Sequence, residues 1–242
     1  MPREPQILAT SGGFRRRPGT RDAAERAGLM NEAIRLAEVP RAKVCGLFGA
    51  VGDQPGWIAW WYDAMSGHGD VDTSHVALVD IPNHADVRAH LLAQDVIWVS
   101  GGSTAALLAV WREHHVDEIL RECWDAGVVL TGVSAGSICW HTGGTTDSFG
   151  LTLAPYTKTL GFLPYSNCPH YDAEEQRRPL YQQLVGDGTL DAGWATDNGA
   201  GLHYVGTDLV RVLAETENAA AYHVERGPDG VTETRLDATL AE

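Results

Sequence analysis

The chain has 242 residues, 44% of them hydrophobic, and carries 18 Lys and Arg against 32 Asp and Glu, a net charge of −14 at pH 7. That length suits one domain over residues 1–242 with a core large enough to need no staples. The negative excess repels phosphate backbones and anionic lipid, which excludes nucleic acid and membranes as partners.

In chain order, an apolar run predicts a strand over Gln6 to Thr10, and one-sided apolar spacing predicts a helix over Asp22 to Glu38. A strand at Lys43 to Phe48, a helix at Trp57 to Met65 and a strand at His75 to Asp80 follow. Asn83 opens a helix as a cap with Asp86 behind it, Asp95 to Ser100 is a strand, and Ser103 begins a long helical stretch. Val128 to Val133 is another apolar β-type run. This alternation is the rhythm of an α/β fold, a three-layer, flavodoxin-like, doubly wound and mostly parallel sheet. The glycine loops Ser11-Gly12-Gly13 and Gly101-Gly102 then fall at its carboxyl edge, where such sheets bind ligands. Beyond Trp140 the chain turns Gly- and Thr-rich, with a strand-like run at Thr159 to Leu163 and a helix at Glu174 to Val185. Strand-like runs at Gly201 to Val205, Leu209 to Glu215 and Ala220 to Glu225 suggest a small antiparallel C-terminal extension.

The cysteines, Cys45, Cys123, Cys139 and Cys168, show no Cys-x-x-Cys spacing and read as reduced, buried thiols. With no long apolar leader and no apolar run of transmembrane length, a cytoplasmic location is expected.

The chemistry centres on Gly132-Val133-Ser134-Ala135-Gly136, a Gly-x-Ser-x-Gly turn between a strand and a helical segment. Such a nucleophile elbow lifts the serine Oγ out of the backbone and leaves the next residue's N–H aimed at an oxyanion, here that of Ala135. Gly101-Gly102, which can approach a neighbouring strand end closely, is the natural second donor, although an ordinary helix-opening turn fits the same residues. A serine nucleophile needs a base. His170, in Ser166-Asn167-Cys168-Pro169-His170-Tyr171-Asp172, sits in a loop stiffened by proline and is the candidate. Asp147 is the candidate orienter of the imidazole, with Asp172 the runner-up.

Together, Val99-Ser100-Gly101-Gly102-Ser103-Thr104, Gly132-Val133-Ser134-Ala135-Gly136-Ser137, Thr145-Thr146-Asp147-Ser148 and Cys168-Pro169-His170-Tyr171 resemble the peptidase E (aspartyl dipeptidase) family of serine peptidases, to which cyanophycinases are related. The resemblance implies a class I glutamine amidotransferase-like fold with serine in place of cysteine, Ser134 as nucleophile, His170 as base, Asp147 as third member, and Ala135 with Gly101-Gly102 as oxyanion donors. It further implies dipeptidase-type hydrolysis of short peptides, including Asp-X, with an arginine after the catalytic histidine to pair with the substrate aspartate. Here that stretch reads Asp172-Ala173-Glu174-Glu175-Gln176-Arg177-Arg178-Pro179, with fewer residues after the histidine and acids where that arginine would align; Arg177 is the arginine on offer, while Asp172, Glu174 and Glu175 suit a substrate α-ammonium.

No metal or other cofactor is expected. Arg15-Arg16-Arg17 is a secondary carboxylate site, and His114-His115-x-x-Glu118, with a histidine and a carboxylate four apart on a helix, lacks a third metal ligand nearby. The expected partner is a short peptide substrate; a homodimer is one assembly open to such a chain. Two rivals remain: an α/β-hydrolase-type esterase, against which the spacing of 36 residues from Ser134 to His170 argues, and a catalytically inactive relative that binds a small amino-acid-like ligand.

Overall fold

The computed structural model describes residues 3–21, 23–173, 175–228 and 230–241. The first half runs β1 (Gln6–Thr10), β2 (Phe14–Arg16), β3 (Ala24–Arg26), α1 (Gly28–Leu36), β4 (Ala42–Leu47), α2 (Pro55–Met65), β5 (Val71–Val76), α3 (Val87–Leu92), β6 (Val96–Val99), α4 (Thr104–Glu113), α5 (Val116–Asp125) and β7 (Val129–Val133). The second half runs α6 (Ala135–Ile138), β8 (Gly143–Thr146), β9 (Ala154–Tyr156), β10 (Ser166–Pro169), α7 (Arg177–Asp187), β11 (Gly193–Thr196), β12 (Ala200–Val205), β13 (Asp208–Ala214), β14 (Ala221–Gly227), β15 (Gly230–Leu236) and β16 (Thr239–Leu240).

The main sheet has the order β16-β13-β12-β1-β7-β6-β4-β5. Only β12 runs against the others, because it pairs antiparallel with both β1 and β13 while every other pairing is parallel. The central strands are mostly apolar and buried because both faces are covered. Leu8, Val44, Trp98 and Val129 pack with Leu29, Met30 and Ala33 of α1 and with Trp61 and Met65 of α2. Their sequence neighbours Ile7, Cys45, Ile97 and Leu130 turn to the other face, against Leu107, Leu108 and Trp111 of α4 and Leu120 of α5. The alternation of neighbours is the two-residue period of a strand, and it makes the sheet the partition between two apolar layers.

Several expectations need correction. The strand expected at His75 to Asp80 lies instead at Val71–Val76, and the helix expected to open at Asn83 starts at Val87 with Asp86 as its cap, while Asn83 Oδ1 accepts from the Ala77 N–H at 2.9 Å. The helix expected over Asp22 to Glu38 starts only at Gly28; Asp22 lies outside the described residues, and Ala24–Arg26 is a strand paired antiparallel with Phe14–Arg16. Arg26 explains part of this: its guanidinium reaches the Asp70 carboxylate at 3.0 Å and is nearly buried, a tertiary contact that outweighs local helical preference. The long helix after Ser103 breaks into α4 and α5 at His115, which sits in the left-handed region at φ 56°. Thr159 to Leu163 is not a strand; the chain runs irregularly into β10.

The C-terminal part is more than an antiparallel extension. β12 and β13 do extend the main sheet, but a second, mixed sheet forms in the order β15-β14-β11-β10-β8-β9, with β8, β10 and β11 parallel. Its core is Cys168, Tyr181, Leu184, Val185, Ala195 and Val224, packed under α7. No helix among the described residues is long and apolar enough to cross a membrane.

His141, fully buried just after the elbow helix, lies with Nδ1 2.9 Å from the Ser137 carbonyl and Nε2 3.3 Å from the Tyr204 hydroxyl. Burial pushes its pKa down to about 4. The folded state therefore binds fewer protons than the unfolded chain between that value and the usual histidine range, so stability is full above about pH 6.5 and falls as pH drops toward 4. From this residue alone we expect a loss of up to about 3 kcal/mol by pH 4. Urea midpoints at pH 7 and pH 4.5, with a His141→Gln variant showing a shallower pH dependence, check it.

Candidate active site

At the end of β7 the backbone turns sharply: Ser134 has φ 57° and ψ −110°, and the next residue is already helical. Such a conformation is costly for a residue with a Cβ and persists only where its surroundings hold it. The Ser134 N–H donates to the Thr10 carbonyl at 3.2 Å, and the Ser134 carbonyl accepts from the Ser137 and Ile138 N–H groups at 2.8 and 2.9 Å. The flanking glycines are there for space. A Cβ on Gly132 would come within 2.7 Å of the Val99 carbonyl oxygen, and one on Gly136 would collide with that same oxygen. The elbow is thus pressed against β6, and Ala135, in the first turn of α6, has an N–H that no intrahelical carbonyl can reach.

The loop after β6 lies beside it. A Cβ added to Gly101 would stand 3.2 Å from the Ser134 Cβ, and Gly102 has φ 131°, a conformation open essentially to glycine alone. Ser103 then caps α4, accepting from the Ala106 N–H at 3.1 Å.

His170 follows β10 in the second sheet, also at positive φ, 58°. Its N–H donates to Ser11 Oγ at 3.2 Å, and Ser11 Oγ lies 2.7 Å from Thr196 Oγ1. Its Nδ1 is 2.5 Å from Oδ1 of Asn198, in the turn between β11 and β12. An amide oxygen only accepts, so this pair puts the proton on Nδ1 and leaves Nε2 basic. Asn198 is itself held by Asp172, whose Oδ1 accepts from the Asn198 N–H at 2.7 Å. Beside it Asp197 is buried, accepting from the Ala220 N–H at 3.1 Å and the Tyr222 hydroxyl at 3.2 Å. Burial, aided by the charge of Asp172, raises the Asp197 carboxyl above the usual range.

Ser134, His170, Gly101 and Gly102 line one cleft of about 380 Å³, whose walls are Phe14, Trp57, Trp60 and Trp98 with Val51 and Val133. The other expected site residues lie elsewhere. Asp147 sits exposed on the β8–β9 turn and lines a separate depression with Glu175 and Gln176; among the described residues no hydrogen bond joins it to His170. Arg177 is 3% exposed and donates to the Thr145 carbonyl at 3.2 Å, inside the second sheet rather than on the cleft wall. Asp172 and Glu175 are exposed, and Glu174 lies outside the described residues. Arg15 pairs with Glu25 at 2.8 Å and Arg17 donates to the Asp63 carbonyl at 3.0 Å. His115 faces Glu118 at 3.6 Å on the surface, and no group of three metal-type ligands gathers among the described residues. The sequence left Asn198 undecided: Asp197-Asn198-Gly199 reads as a turn before a strand that can approach the site, but nothing local demands it or marks which way the amide points.

The model of peptidase family S51 matches residues 8–212. The chain belongs to this family. It is similar, at 40% identity over 234 residues and 96% of both chains, to "Uncharacterized peptidase YgaJ" of Bacillus subtilis (strain 168). It is 28% identical over 151 residues to "Peptidase E" of Pasteurella multocida (strain Pm70), covering 58% of this chain and 63% of that protein. Among solved structures, a peptidase from an acI-B1 Actinobacterium superposes with a TM-score of 0.71 at 17% identity, over 97% of this chain and 95% of that one. A putative peptidase E protein from Listeria monocytogenes EGD-e gives 0.57 at 16% identity, over 97% and 100%. The two structures share the mixed α/β fold with its large, mostly parallel sheet. Family membership makes the chain a hydrolase, a serine peptidase.

Proposed function

We propose that this S51 peptidase hydrolyses short peptides, in a dipeptidase-type reaction, through an acyl-enzyme on Ser134. What carries the reading is that Ser134, His170 and the Gly101-Gly102 turn face one cleft from three separate elements. Ser134 Oγ attacks the scissile carbonyl as His170 Nε2 takes its proton; the Ala135 N–H and the glycine turn stabilise the oxyanion; the imidazolium then protonates the leaving amine, and water repeats the sequence on the ester. In this reading the imidazole is steadied by Asn198 in place of Asp147, with Asp172 fixing Asn198 in turn. The elbow at the centre of a parallel sheet supports the class I glutamine amidotransferase-like assignment, with serine where such an amidotransferase has cysteine. Cleavage at Asp-X would draw on Arg177, the arginine singled out in the stretch after His170.

Labelling of Ser134 by a fluorophosphonate together with dipeptide hydrolysis tests the assignment. A chain that hydrolyses p-nitrophenyl esters but no dipeptide is the esterase rival. Asn198→Ala is expected to lower kcat on the order of 10²-fold with KM little changed, since an imidazole free to rotate misplaces the base. Asn198→Asp should retain more activity and move the acid limb of the kcat/KM profile to higher pH, because a carboxylate favours the charged imidazole. Equal rates for wild type and Asn198→Ala would remove Asn198 from the mechanism.

A further inference from the structure

The wall of the cleft beside Ser134 is made by four aromatic rings and two valines, and among the described residues that line it there is no Lys, Arg, Asp or Glu; the polar side chains there are Ser100, Ser134 and His170. From this wall, and resting on the reading of Ser134 as nucleophile, we propose that the enzyme selects short peptides carrying a large apolar side chain, aliphatic or aromatic, at a residue flanking the scissile bond.

The wall is braced rather than loose. Trp98 stacks on Trp61 at 4.9 Å and 14°, and Trp61 is locked by its indole N–H to the Ser74 carbonyl at 3.1 Å. Phe14, carried in by β2, meets Trp60 at 4.9 Å and Trp98 at 5.4 Å, both edge to face. Trp57 stands against Trp60 at 5.9 Å and 75° and is still 46% exposed at the rim. An indole left half in water at the mouth of an apolar cleft gains from being covered, and a substrate side chain is what would cover it.

A carboxylate entering the same space loses its water and meets no cation among the described residues that line it. Of the arginines near in sequence, Arg15 pairs with Glu25, Arg17 with Asp63 and Arg26 with Asp70, while Arg16 and Arg21 lie around a separate depression that Phe14 and Trp60 also line and are not among the residues lining the cleft. Arg177 is turned toward the Thr145 carbonyl in the second sheet. The rings could hold an ammonium on their faces, but Trp98 gives one face to Trp61. That leaves the apolar side chain as the better occupant.

The test pairs hydrolysis with binding. Dipeptide sets X-Ala and Ala-X, with X as Leu, Phe, Ala, Asp and Lys, are assayed on the wild type, and the same sets are titrated by calorimetry into Ser134→Ala. Burial of such a side chain predicts about 10- to 100-fold preference for Leu or Phe over Ala in one of the two sets, with Asp below Ala. Trp57→Ala, at an exposed position that the fold does not need, should erode that preference several-fold in both readouts. Asp or Lys favoured over Leu and Phe, or a flat profile, overturns the proposal. If no dipeptide is hydrolysed but Leu and Phe still bind best, the selectivity stands and the catalytic reading falls.

Discussion

Replacing Ser134 by alanine is expected to cut kcat/KM on short peptides by roughly three or more orders of magnitude while moving the thermal midpoint little. The change removes one oxygen and leaves the geometry. Alanine at φ 57° suffers the same backbone strain as serine, and the contacts that enforce the turn, from Ser134 N–H to the Thr10 carbonyl and from the Ser137 and Ile138 N–H groups to the Ser134 carbonyl, are all main-chain. Some rate above the uncatalysed reaction should survive, since the Ala135 N–H and the glycine turn still face the carbonyl. Steady-state kinetics beside a denaturation curve separates the two effects. A variant that cleaves as fast as wild type would show that Ser134 is not the nucleophile.

The second large effect is on folding. Gly136→Ala puts a methyl group into the Val99 carbonyl oxygen, which belongs to a central strand with neighbours on both sides and cannot retreat. We expect a loss of about 3 kcal/mol or more, read as a lower urea midpoint or as insoluble expression. Gly56, in α2, is the control, because a Cβ there meets nothing within 4 Å. The same Gly-to-Ala change at that position should stabilise by some tenths of a kcal/mol. Similar losses at both positions would mean that close packing of the elbow is not what Gly136 provides.

These residues also show where the sequence could be read. β1, Gln6–Thr10, was legible to the residue, and so was the cap of α4, where Ser103 accepts from the Ala106 N–H; the cap of α3 is Asp86, three residues beyond the expected Asn83. In each, one short-range rule decides the outcome. The elbow was legible because small residues on both sides of a serine have few other uses between a strand and a helix. The second sheet was not. Its strands β8, β10 and β11 are four residues each, GGTT, SNCP and GWAT, too short and too polar to show a period. Asn198 was hidden for a different reason. It lies 28 residues from His170, and its amide reaches the imidazole only because β10 and β11 lie side by side. Trp57, Trp60 and Trp61 read in the sequence as core or pocket wall; what gathers Trp57, Trp60 and Trp98 into one cleft wall with Phe14 is β2, a strand of three residues inside what reads as a loop.

Ser11 joins two structures as much as it fills a turn. Ser134 grows from the main sheet and His170 from the second, and Ser11, at the end of β1, touches both sides: it takes the His170 N–H, meets Thr196 of β11 and accepts the Gly199 N–H at 2.9 Å. In the proposed mechanism the distance from Ser134 to His170 is therefore a docking distance, set across a seam and not along any one element. Either sheet can tolerate remodelling at its outer edge, but a shift of one against the other by a fraction of an ångström would uncouple the proton transfer while every strand and helix stayed intact.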